Sequence, residues 1–164
     1  MGEPEVVTFR VDDDIDTSLS VRENIVEDIL DCLKDISKAN GYNLDVKSNM
    51  LNRVNELDFS ELPCNVVFDK ESEDTGRPAS WKHKLDIMIA YVSADGDDTT
   101  RTLNKGISDV YKAIGKIEDR FMAKYSTNYF MPKSTFKDLV EKDRDMGEMY
   151  AVISVEYVSP RWEL

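Results

Sequence analysis

From residue 81 to residue 92 the side chains alternate strictly. Trp81, His83, Leu85, Ile87, Ile89 and Tyr91 fall on one face of an extended chain, and Lys82, Lys84, Asp86, Met88 and Ala90 on the other. Successive strand residues point to opposite sides of a sheet, so this pattern predicts a long strand with one apolar face. Such a face needs a second layer to cover it. The next segment supplies one. Asp95, Gly96, Asp97 and Asp98 form a turn with helix-start chemistry, and Leu103, Ile107, Val110, Ile114, Ile117 and Phe121 then recur every three or four residues. This predicts a helix over about 99–123. Its stripe spans fewer than three heptads and is interrupted by Gly106 and Gly115, so it reads as a helix lying on a sheet, not as a coiled-coil seam.

An earlier helix is marked at both ends. Ser20 and Glu23 have the spacing of a capping box. Val21, Ile25, Val26, Ile29, Leu30, Leu33 and Ile36 repeat at helical spacing, and Gly41 stands where a helix C-terminus wants a left-handed residue. The predicted span is 21–39. Val66, Val67 and Phe68, behind Leu62 and Pro63, predict a strand over 64–69 that pairs antiparallel with 81–92. Polar residues 69–80 read as a loop with the composition of a segment that orders on assembly. Residues 6–11 and 50–54 suggest short extended pieces. Phe136, Leu139 and Val140 suggest a short helix. Met149, Ala151, Ile153, Val155 and Tyr157 predict a last strand over 149–158 with an open edge. The expected fold is α+β: a mainly antiparallel or mixed sheet of about four or five strands, with two long amphipathic helices packed on one face. The 164 residues fit one domain, with 1–19 as an acidic extension and 124–148 as a polar insertion.

Charge narrows the partners. The chain carries 33 acids and 21 bases, a net charge of −12, which disfavours a nucleic-acid binder built on a basic footprint. Residues 1–31 alone hold 10 acids and 2 bases. This block reads as a solvated face, a surface that repels DNA, or one that docks on a basic partner. No apolar run approaches 18 residues, so no membrane helix is expected. The first residues lack the basic and apolar regions of a secretory signal. Cys32 and Cys64 form no CxxC and read as reduced thiols packed as small apolar groups, in an intracellular, soluble chain.

Catalytic signatures are nearly absent. His83, the single histidine, shares the apolar face with Trp81, Leu85 and Ile87 and reads as structural. A Cys64–His83 dyad needs those two strands to bring thiol and imidazole together, and no orienting partner is evident. The residues suggest no cofactor and no enzyme. Asp12, Asp14, Asp16 and Glu23 match positions of a calcium loop, but Thr17 replaces the glycine its turn demands, and capping accounts for Glu23. These four are weak metal candidates only.

Three stretches together resemble the tail terminator (tail completion) proteins of long-tailed bacteriophages. They are VRENIVEDILDCLKDI followed by Gly41 and Tyr42; ELPCNVV, a Leu-Pro entry to a strand; and WKHKLDIMIAYVSADGDDTTRTLNKGISDVYKAIGKI, a long strand running into a helix. The closing AVISVEYVSPRW shares the look. The resemblance implies a structural virion protein that forms a ring, commonly a hexamer, at the head-proximal end of the tail tube. The ring stops tube polymerisation and offers a docking surface to the head connector, and it is assembled in the host cytoplasm. Its implied partners are its own copies, the tube protein and the connector, with DNA passing through unbound and no membrane. Under this resemblance, Glu71, Glu73, Asp74, Arg77, Trp81, Lys82, Lys84, Arg161 and Trp162 become candidates for assembly contacts. Asp12, Asp13, Asp14 and Asp16 become candidates for the lumen. Two alternatives stand beside it: another head–tail connector or head-closure component, and a small binding module that responds to divalent cations.

Overall fold

The computed structural model describes residues 15–51, 62–74, 80–93, 99–127, 130–139 and 147–160. Helix α1 (Val21–Leu33) opens on Ser20, whose hydroxyl accepts from the Glu23 backbone N–H while the Glu23 carboxylate accepts from the Ser20 N–H. Both halves of the predicted capping box are therefore present. The helix stops sooner than expected. A turn leads to a single 3-10 turn at Lys38–Asn40, and Gly41, with φ +88°, ends that turn and not the α-helix. The competing signal is Ser37, whose side chain caps the short turn by accepting from the Asn40 N–H at 3.2 Å.

Five strands form one mixed sheet: β1 (Ser48–Leu51), β2 (Cys64–Asp74), β3 (Ser80–Ser93), β4 (Phe130–Leu139) and β5 (Gly147–Pro160). Their spatial order is β1-β2-β3-β5-β4. β1 runs parallel to β2, and the other three pairings are antiparallel. Helix α2 (Thr99–Lys124) joins β3 to β5 by way of β4.

Three expectations need correction. β2 does not end near residue 69. It continues to Asp74, with a bulge between Glu71 and Glu73, so much of the expected loop is paired strand. Pairing to the long β3 satisfies its backbone in spite of its charged side chains. The expected short helix around Phe136 is instead strand β4, because the backbone groups of β5 on that side need partners. For the same reason 149–158 is no open edge: β5 lies between β3 and β4. The extended piece near residue 50 is β1, whereas residues 6–11 lie outside the described residues.

The main core gathers residues of both helices and of the sheet into one cluster. Leu85, Ile87, Ile89 and Tyr91 of β3 meet Val67 of β2 and Ala151, Ile153, Val155 and Tyr157 of β5. All six apolar residues expected on α2 are buried in this cluster, together with Ile25, Ile29 and Leu33 of α1. Full burial of each such side chain stabilises the fold by roughly 1.5–3 kcal/mol. On the opposite face a smaller cluster gathers Leu62, Cys64, Val66, Ala90 and Val92.

Buried carboxylates fasten the helix layer. Asp28 of α1 accepts from Lys124 Nζ at 2.9 Å and from the Tyr125 hydroxyl. Asp35 accepts from the Tyr42 hydroxyl at 3.1 Å and from Asn40. Asp109 of α2, 1% exposed, accepts from the backbone N–H groups of Asn43 and Leu44 and from the Asn43 amide, each at 3.0 Å. Buried polar acceptors of this kind are tolerated inside because each is hydrogen-bonded.

Candidate interaction surfaces

The chemistry expected of an enzyme does not assemble among the described residues. His83 is 2% exposed, its ring is stacked on Tyr157 at 4.9 Å, and its Nε2 lies 2.8 Å from Ser159 Oγ. Cys64 belongs to the cluster on the other face and stands opposite Val92, nine residues along β3 from His83. At about 3.4 Å per residue the two groups are roughly 30 Å apart, so the Cys64–His83 dyad does not exist. Both thiols are buried and unbridged, as expected. Burial, with Asp35 as the next cause, pushes the Cys32 thiol up to about 12. That thiol is not a nucleophile at neutral pH.

The calcium-loop candidates divide. Asp12, Asp13 and Asp14 lie outside the described residues. The Asp16 carboxylate accepts from the Ser18 N–H at 2.9 Å and from its hydroxyl at 2.6 Å, which holds its pKa below the ordinary value. Glu23 serves the capping box. Asn24 ties this segment to the helix: its Nδ2 donates to the Asp16 and Ser20 carbonyls, and its Oδ1 accepts from the Asp16 N–H.

The candidate assembly residues come together in part. Glu71, Glu73 and Asp74 pair across from Leu85, Lys84 and His83, while Trp81, Lys82 and Lys84 pair across from Ser159, Val158 and Glu156. One end of the β2–β3–β5 sheet thus carries six of the nine. Arg77, Arg161 and Trp162 lie outside the described residues.

Two further surfaces escaped the sequence reading. The first is a groove of about 350 Å³ beside α1, lined by Leu19, Glu23, Val26, Glu27, Leu51 and Asp69 among others. Leu19 and Leu51 are 37% and 42% exposed. Arg22 and Asp69, joined at 2.8 Å, fix α1 to β2 along it. The second surface is the solvent side of α2. Arg101, Lys105, Lys112, Lys116 and Arg120 are all exposed there. At 3.6 residues per turn they fall within roughly a third of the circumference, an arc that also holds exposed Asp119 and buried Asp109. Their spacing is visible in the sequence, masked by the chain's net negative charge and by the apolar stripe of the same helix. No described helix is long and apolar enough to cross a membrane.

No protein-family model matches the chain, and no curated protein matches it. Among solved structures it is similar to a chain from the virion of a native gene transfer agent (GTA) particle. The two are 14% identical, the match covers 67% of this chain and 78% of that one, and the TM-score is 0.40.

Proposed function

We propose that the protein is a structural virion component: a ring, hexameric by the resemblance, that caps the head-proximal end of a phage tail tube. In that place it stops tube growth, presents a surface to the head connector, and performs no catalysis. One observation carries the reading. The stretches that resemble tail terminators are those from which the core is built: α1, the Leu62–Pro63 entry to β2, β3 running into α2, and β5.

A ring needs heterologous contacts that close, in which one patch of a subunit meets a different patch of the next. The acidic cluster Asp12, Asp13, Asp14 and Asp16 suits a lumen through which DNA passes, since it offers phosphates no cationic contacts. The test is to add the protein to polymerising tube protein. Capped tubes of limited length are expected, and tubes that keep growing at both ends would end the reading. Protein that binds finished tails or empty connectors but never limits tube length would point to a head-closure role. Charge reversal at Asp12, Asp13 and Asp14 tests the lumen separately, with lowered infectivity expected and unchanged infectivity counting against it.

A further inference from the structure

The two surfaces absent from the sequence reading are complementary. Glu23 and Glu27 are exposed on α1 and line the groove together with Arg22, Asp69 and the apolar Leu19, Val26 and Leu51. Lysine and arginine side chains lay their alkyl stems on apolar surface while keeping the charged head at a polar rim, so such a groove fits them. On α2, Arg101, Lys105 and Arg120 are exposed, and none has a partner among the described residues. Lys112 and Lys116, in contrast, turn back within their own chain. Lys112 Nζ donates to the Gly41 carbonyl at 2.8 Å, and Lys116 Nζ lies 3.8 Å from Asp35 and over the Tyr42 ring.

The cationic stripe cannot be neutralised by the acids of its own α1. That helix meets α2 through Asp28, which holds Lys124 and Tyr125. Glu23 and Glu27 lie roughly 100° or more around α1 from Asp28 at 3.6 residues per turn, so they face away from α2. We infer that Arg101 and Lys105, one turn apart on α2 of one copy, dock against Glu23 and Glu27, one turn apart along the groove on α1 of another copy. The contact joins two different patches, one acidic and partly apolar and one basic with long aliphatic stems. It deepens the ring reading and rests on it for closure into a ring, but not for the contact itself. A second copy is favoured over DNA because a net charge of −12 repels a polyanion at long range, and the chain itself carries a matching acidic groove.

The test uses the full-length protein in sedimentation velocity over a concentration series, at low salt and at 0.5 M salt. Self-association that weakens with salt is expected. Arg101→Glu with Lys105→Glu makes one variant, and Glu27→Lys makes the other. Glu23 is left alone because it closes the capping box. Each variant alone should associate at least roughly tenfold more weakly. An equimolar mixture should recover association, since each reversed face then meets its reversed complement while the unaltered faces meet each other. All three sites are on the solvent side of helices. Circular dichroism confirms folding, and the milder Arg101→Gln with Lys105→Gln variant should give an intermediate loss. Wild-type protein that stays monomeric throughout, variants that associate like wild type, or a mixture no better than its parts would each overturn the contact. So would an Arg101→Glu, Lys105→Glu variant that loses retention of duplex DNA but keeps its self-association. The tube-capping assay distinguishes the two readings. Variants that form rings and cap tubes normally sink the contact and leave the terminator, whereas wild-type rings that never cap sink the terminator and leave the contact.

Discussion

The ring of Tyr91 fills the space that a Cβ at residue 106 would occupy. Its Cδ1 and Cε1 lie 2.3 Å from that position, and Tyr91 is fully buried. Gly106 therefore lets α2 settle onto β3, and the interruption in the apolar stripe is a packing notch. Gly115, on the same helix, has nothing within 4 Å of its notional Cβ and is exposed.

The same substitution should thus act in opposite directions at the two sites. Gly106→Ala displaces a buried aromatic ring, and overpacking of this kind costs about 1–3 kcal/mol, which exceeds the gain of about 1 kcal/mol in helix propensity at the upper end. Gly115→Ala keeps only the propensity gain and should stabilise by about 0.5–1 kcal/mol. Urea midpoints of the two variants check this. Equal shifts of one sign would contradict the notch.

Asp28 and Lys124 test the buried tie between the helices. Their side chains are 10% and 4% exposed. Asp28→Ala strands a buried ammonium and should cost about 3–5 kcal/mol. Adding Lys124→Met should recover a good part of that loss, because the double variant leaves no unpaired charge. A double-mutant cycle measured by chemical denaturation gives the coupling. Simple additivity would mean that the pair is not coupled in solution.

Asp109 holds the 43–44 segment against α2 with three accepted hydrogen bonds. Asp109→Asn keeps the shape but presents an amide donor to groups that are themselves donors. A loss of about 1.5–3 kcal/mol is expected, the range for hydrogen bonds to charged groups. Amide exchange at Asn43 and Leu44 should speed up first. Unchanged protection there would count against the clamp.

Cys32 predicts an alkaline weakness. Unfolded, its thiol titrates near 9.0; folded, near about 12. The folded state therefore holds the proton longer, and stability should fall as pH rises from about 9 to about 12, with no contribution from this group below that window. Where only the unfolded form has ionised, the slope from one thiol approaches about 1.4 kcal/mol per pH unit. Tyr42 and Tyr125, whose phenols are pushed up first by burial and then by Asp35 and Asp28, add in the same direction. Cys32→Ala should flatten the decline between pH 9 and 11 in denaturation curves, and an unaltered slope would remove the thiol from the account.

Elements with a sustained apolar period were legible. β3 and α2 each present one long apolar stripe, and the six apolar positions read on α2 are all in the core. β4 was not legible, because Pro132, Lys133, Lys137 and Asp138 give an edge strand the look of a loop, and Phe136, Leu139 and Val140 happen to have helical spacing. Pairing to β5 overrides that local pattern. The second half of β2 was hidden in the same way by Lys70, Glu71, Glu73 and Asp74. Of the surfaces, the cationic spacing on α2 was available in the sequence. The groove was not, because Leu51 and Asp69 reach α1 only through the tertiary fold.

Asp28, Asp35 and Asp109 tie the helix layer together at successive points along its length. In mechanical terms they are cross-braces. A shearing load on the outer face of α2 cannot slide that helix past α1 without breaking buried charged contacts, so it passes to α1 and, through Arg22 and Asp69, to strand β2. The layer therefore yields as a plate and not as two rods. Stiffness across the helix–helix seam is then a property of the buried carboxylates, independent of the apolar core beneath them.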